Sequence, residues 1–257
     1  MKNRIVLHLI SLFFCLSANA QLKAVSYQDS HQKLNGFAIE PNTKSKEKPG
    51  ILILPAWRGI DEHAKKTATT LANLGYYVFI ADIYGEGNYP KDNTEAGKIA
   101  GFYKTNTNLY QNRITLALEQ LIRAGANVEN IVAIGFCFGG TGVLEAARVN
   151  LNLKGVVSFH GGLGKDASRN ISTIKTRVLV CHGADDPFVA KEEIAGFQQE
   201  MRDAKADWEM IYYANAVHSF TDVNAGSDNS KGAAYNEKAA KRSFDHMKLF
   251  LNEVLKN

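Results

Sequence analysis

Cys137 stands in Gly135-Phe136-Cys137-Phe138-Gly139-Gly140, between the apolar run Ile131-Val132-Ala133-Ile134 and a helix-prone stretch. A glycine two positions either side of a cysteine at a strand-to-helix junction reads as a nucleophile elbow, with a thiol where a serine hydroxyl is commoner. The glycines have a mechanical reason to be there, because such a turn needs strained backbone angles and leaves no room for flanking side chains. The chemistry implied is covalent attack by a thiolate lifted to the tip of a strand. On the hexapeptide alone, the competing reading is a small cysteine buried in a glycine-rich turn.

Two later segments supply partners for a thiolate. The apolar run Arg177–Val180 leads into Cys181-His182-Gly183-Ala184-Asp185-Asp186-Pro187, which sets two carboxylates at the carboxyl end of a strand, where open α/β sheets build their sites. The last strand-like run ends at Tyr213 and is followed by Ala216-Val217-His218-Ser219-Phe220. An imidazole can keep the thiol deprotonated while a carboxylate fixes the ring's tautomer and orientation. Asp185 and Asp186 could equally form a simple turn before the proline. His160 and His182 also fall at strand ends and compete with His218 as the base; the order nucleophile, acid, histidine of α/β hydrolases favours His218.

Those residues need a scaffold that gathers them at one rim. Strand-like and helix-like segments alternate almost without interruption, the pattern of an open, mostly parallel central sheet with helices on both faces. Lys23–Ser30 and Leu34–Glu40 read as an opening antiparallel pair, and Gly50–Pro55, Tyr76–Asp82, Ile131–Gly135, Gly155–Phe159, Arg177–Val180 and Trp208–Tyr213 as further strands. Helices are expected from Asp61 to near Gly75, over two stretches reaching about Ala124, after Gly140, over Ala190–Ala206 and over Tyr235–Leu255. Polar loops at Asn88–Asn93 and, with glycines, Val223–Gly232 lie beside the expected site. No repeat or composition shift marks a boundary, so residues 21–257 are expected to form a single domain.

With these residues in place, the chain resembles the dienelactone hydrolase family of the α/β-hydrolase superfamily. The resemblance rests on the cysteine elbow, Gly183 to Val189, His218-Ser219-Phe220 and Asp82-Ile83-Tyr84, and runs from about Gly36 to the C-terminus. It implies the α/β-hydrolase fold, Cys137 as nucleophile, His218 as base and Asp186 as the acid. The oxyanion hole would be made by the backbone N–H groups of Phe138 and Trp57. Tyr84, Trp57, Phe138 and Phe220 would make the pocket mouth aromatic, with Arg58 a possible cation beside it. The dienelactone-cleaving members resemble one another in a glutamate at the position of Ala56. They also carry arginines where this chain has Glu86 and, after His-Ser-Phe, Thr221 and Asp222. Loss of those cations argues for an uncharged ester or lactone over dienelactone itself.

The implied activity is carboxylic ester or lactone hydrolysis through an acyl-thioenzyme. A ligand-binding protein that has lost catalysis, and a thioesterase or peptidase variant, are the alternatives. No metal is expected because the histidines lack paired ligand spacing, and no nucleotide cofactor because no Gly-x-Gly-x-x-Gly loop follows the first buried strand. At the N-terminus, Lys2 and Arg4 precede an apolar stretch and Ala18-Asn19-Ala20, the grammar of a signal peptide over residues 1–20 cleaved before Gln21. A periplasmic or secreted location is therefore expected, with no membrane attachment after cleavage. Without Lys2 and Arg4 the formal charge falls from +4 to +2, which gives no electrostatic reason to bind nucleic acid. A small ester is the expected partner, bound by a monomer or small homo-oligomer.

Overall fold

The computed structural model describes residues 21–256 except Ser172, so the expected signal peptide lies outside the described residues. In chain order the elements are β1 (Lys23–Asp29), β2 (Gln32–Ile39), β3 (Gly50–Leu54), α1 (Glu62–Asn73), β4 (Tyr77–Ile80), α2 (Asn93–Thr105) and α3 (Thr107–Arg123). There follow β5 (Ile131–Phe136), α4 (Phe138–Arg148), β6 (Gly155–Phe159), β7 (Arg177–Gly183), α5 (Lys191–Asp203), β8 (Trp208–Tyr213) and α6 (Glu237–Val254). Asp61, Asp92 and Asn236 cap α1, α2 and α6 by accepting the backbone N–H three residues on, satisfying donors that a helix start leaves open.

The strands form one sheet in the order β1-β2-β4-β3-β5-β6-β7-β8. The β1–β2 and β2–β4 pairs are antiparallel and all later pairs are parallel. Alternation along β3 shows how the sheet fills two cores. Leu52 and Leu54 join residues of α2, α3, α4 and α5 on one face, while Ile51 and Ile53 join α1 and α6 on the other. Because both faces are covered, the central strands β3, β5 and β6 are apolar at every position except Ser158.

The strand order reverses between β3 and β5, which pair from Gly50↔Ile131 to Leu54↔Gly135. A crevice opens at such a switch point, outside the carboxyl ends of the strands. The loop after β3, with Trp57, and the elbow after β5, with Cys137, therefore face each other across it.

Of the boundaries that differ from the sequence reading, two bear on the site. The helix after the elbow starts at Phe138, before the two glycines. Their role is clearance: a Cβ on Gly139 would stand 2.1 Å from Leu54 O, and one on Gly135 would stand 2.0 Å from Gly139 O. β7 continues three residues beyond Val180, because pairing with β8 persists to Gly183↔Tyr213. Replacing Gly139 by alanine should cost about 3 kcal/mol or abolish folding. Chemical denaturation would read this, and an unchanged midpoint would contradict the clearance argument.

Candidate active site

Cys137 has φ 52° and ψ −113°, a conformation that a side chain adopts only when its surroundings impose it. Its N–H is shared between Phe159 O at 3.0 Å and His160 Nδ1 at 3.2 Å, and its carbonyl accepts Thr141 N–H at 3.1 Å. Below the turn, the Tyr110 ring stacks on Phe138 with centroids 4.6 Å apart, and its hydroxyl donates to Phe138 O at 2.9 Å. The elbow is thus fixed from the strand side and from the helix side. Cys137 is partly exposed, whereas Cys181 is buried with its sulfur 3.6 Å from Tyr213 Oη.

His218 sits on the loop after β8, with its N–H on Gly232 O at 3.1 Å and its carbonyl accepting Ala234 N–H at 3.0 Å. The ring Nδ1 lies 2.8 Å from Asp186 Oδ2. Asp186 also accepts Phe188 N–H at 2.9 Å on Oδ1, and its side chain is fully buried. Asp185 is exposed, which separates the two carboxylates that the residues alone left open. With Nδ1 engaged, the other ring nitrogen is the one available to the Cys137 thiol, and the two groups act on each other's ionisation.

That pair has opposed electrostatics. Burial pushes the Cys137 thiol up, but the hydrogen bond and charge of His218, the Lys104 ammonium and the Phe138 N–H together leave it below the ordinary thiol range. Burial pulls His218 down, yet Asp186 and Cys137 raise it to about 10. Each partner thus favours the charged form of the other, which shifts the pair toward a thiolate beside an imidazolium, the reactive form of a cysteine.

The remaining histidines are placed otherwise. His160 is buried, with Nδ1 on the Cys137 amide and Nε2 2.8 Å from Thr221 Oγ1, so neither nitrogen is free to act as a base. His182 is inside β7 with its ring edge-on to Tyr212.

The Phe138 N–H favours the ionised Cys137 sulfur, and the Trp57 N–H makes no hydrogen bond to the described residues. Trp57 is held from behind, because Tyr84 Oη donates to its carbonyl at 2.7 Å. Tyr84 is in turn positioned by Asp82, whose Oδ1 accepts the N–H groups of Tyr84 and Gly85 at 3.1 and 2.9 Å. The aromatic mouth differs from expectation. Tyr84, Phe138 and Phe220 are buried, since their rings pack into the layers under the loops, so they back the site without forming its rim. Phe220 packs on His160 and Tyr213. The exposed aromatic is Phe188, 61% exposed and edge-on to His218 at 5.4 Å. It lay in the matched segment after Asp-Pro, but no periodicity marked its side chain as a surface one. Arg58 is exposed and hydrogen-bonded to Asn93 at the start of α2. Ala56 lines a cavity of about 60 Å³ with Trp57, His63, His160 and Thr221. Among the described residues, no group of three or more His, Cys, Asp or Glu side chains is placed to hold a metal ion.

A doubly covered, mostly parallel sheet with a strained strand-to-helix elbow at its switch point is the arrangement of an α/β hydrolase, and comparison with known proteins narrows this. The dienelactone hydrolase family model matches residues 34–255, and the chain belongs to that family. Among solved structures it is similar to a dienelactone hydrolase-like promiscuous phosphotriesterase, P91, from metagenomic libraries. The two share 35% identity over 93% of this chain and 100% of that one, with a TM-score of 0.87. A Saccharolobus solfataricus protein provisionally named carboxymethylenebutenolidase is 24% identical over 91% of this chain and 99% of its own. A Bradyrhizobium protein provisionally named 2-oxo-3-(5-oxofuran-2-ylidene)propanoate lactonase is 25% identical over 67% and 73%. The chain is a hydrolase of the carboxylic ester and lactone type.

A depressed thiol beside a raised imidazole fixes the sign of a pH experiment. Alkylation of Cys137 by iodoacetamide at pH 7 should outpace that of a free thiol, which ionises near ~8.5, and should slow only as pH falls through the lowered value. Asp186→Asn should move that inflection upward and slow alkylation at pH 7, while Asp185→Asn should leave the profile unchanged. Equal effects of the two variants would contradict the assignment of the acid.

Proposed function

We propose that the chain hydrolyses small uncharged esters or lactones through a Cys137-His218-Asp186 triad and an acyl-thioenzyme. The observation that carries this reading is the Asp186–His218 hydrogen bond, with the carboxylate fully buried, the ring's other nitrogen left for Cys137 and that thiol at the elbow. In the first half-reaction the thiolate adds to the carbonyl carbon, and the oxyanion is received by the N–H groups of Phe138 and Trp57. The C–O bond to the alcohol then breaks, and the leaving oxygen takes the proton of the His218 imidazolium. In the second, neutral His218 takes a proton from water as its oxygen adds to the thioester carbon. The C–S bond breaks, the acid departs, and the thiolate–imidazolium pair is restored.

Asp186 supports the protonated ring in both halves without itself taking the proton. Around the thiol, Lys104 is the lysine whose charge acts on the sulfur, while Arg58 is turned to Asn93. An uncharged acyl group suits a site without an arginine at its centre. Similarity to a structure named as a promiscuous phosphotriesterase adds a second electrophile to test, an aryl phosphotriester. The same reading has the mature chain start at Gln21 and act outside the cytoplasm, which N-terminal sequencing of the exported protein would check.

Aryl acetates and butyrates should be turned over, and intact-protein mass spectrometry during turnover should find one acyl group, carried on Cys137. Cys137→Ala and His218→Ala should each lower kcat by at least ~10³-fold with folding intact. Undiminished turnover in Cys137→Ala would refute the proposal.

A further inference from the structure

The site holds a second imidazole that the reaction just described does not use. His160 follows β6 with φ 40° and is only 2% exposed. Its own N–H donates to Cys181 O at 2.9 Å, which ties its backbone to the neighbouring strand. A backbone amide can only donate, so the 3.2 Å contact between Cys137 N–H and His160 Nδ1 requires that Nδ1 carry no proton. The ring proton is then on Nε2 and is donated to Thr221 Oγ1 at 2.8 Å. Both nitrogens are committed and the tautomer is set by geometry alone.

We infer that His160 is a positioning residue for the nucleophile: its neutral Nε2–H tautomer accepts the amide of Cys137 and holds the strained elbow in its attacking orientation. This rests on Cys137 being the nucleophile. Thr221 is then the residue that fixes the tautomer, from the segment just past His218. The His160 ring also stands edge-on to His218, with centroids 5.3 Å apart, and packs on Phe220 at 5.2 Å. It thereby backs the base and the nucleophile at once. A second positive charge here would oppose the amide contact and sit against the His218 imidazolium. Burial first, then the charges of His218, His63 and His182, keep His160 well below the ordinary histidine range, against a smaller backbone hydrogen bond that raises it.

The two isosteric replacements separate this role from simple packing. The Oδ1 of asparagine occupies the place of Nδ1 and can accept the Cys137 amide, whereas glutamine reaches toward Thr221 with a donor and leaves that amide with Phe159 alone. His160→Asn should keep kcat within ~3-fold of the parent. His160→Gln should lower kcat ~10-fold or more, with KM changed by less than ~2-fold and alkylation of Cys137 slowed in parallel. Equal losses in the two variants, or full activity in both, would overturn the inference. A test that needs no variant is nitrogen NMR of the imidazoles in the intact protein. The signals of His160 should show Nδ1 unprotonated and Nε2 protonated from pH 5 to pH 9; a ring that gains its second proton in that range, or holds the opposite tautomer, would equally overturn it. Failure of the nucleophile assignment itself would appear separately, as undiminished turnover in Cys137→Ala.

Discussion

The shared hydrogen bond on the Cys137 amide is the constraint from which the rest of the site follows. A non-glycine residue at φ 52°, ψ −113° is intrinsically unfavourable by about 1–3 kcal/mol. It persists here because Phe159 O and His160 Nδ1 both receive its N–H, Thr141 returns a bond to its carbonyl, and Gly135 and Gly139 clear the space on either side. The sheet supplies the leverage, since β6 lies beside β5 in register from Val132↔Gly155 to Phe136↔Phe159.

A second chain of contacts holds the opposite wall. Tyr27 Oη bonds to the backbone of Asp82 on both its N–H and its carbonyl at 3.1 Å, and the Asp82 carboxylate collects amides from Asn35, Tyr84 and Gly85. Tyr84 passes this order to the carbonyl of Trp57. Residues from the antiparallel edge of the sheet thus fix a loop at its centre. The Asp82-Ile83-Tyr84 segment is an internal brace for the Trp57 loop.

Much of the scaffold was legible because its causes are local. Continuous apolar runs marked the buried strands, and Asp61 marked the start of the first helix. The elbow was legible because glycine is one of few residues whose absence of side chain has a readable purpose. What could not be read depends on how distant segments meet. Asp185 and Asp186 are chemically identical neighbours, and only the path of the chain past Gly183 buries one and exposes the other. Tyr84, Phe138 and Phe220 have the aromatic character of a pocket rim, but the layers above them turn them inward. His160 looked like a rival base because residue type carries no information on tautomer; its role needs the Cys137 amide and Thr221, 61 positions away, to be seen at once.

The seclusion of Cys181 has a consequence for redox life. β6 separates β7 from β5, and Cys181 lies in the core with its thiol pushed up to about 12 by burial, against a smaller opposing effect of the Tyr213 hydroxyl. It cannot serve as a resolving thiol. A peroxide that converts Cys137 to the sulfenic acid therefore leaves it with no disulfide partner among the described residues, so recovery falls to an external reductant and continued exposure drives the sulfur to irreversible sulfinic and sulfonic acids.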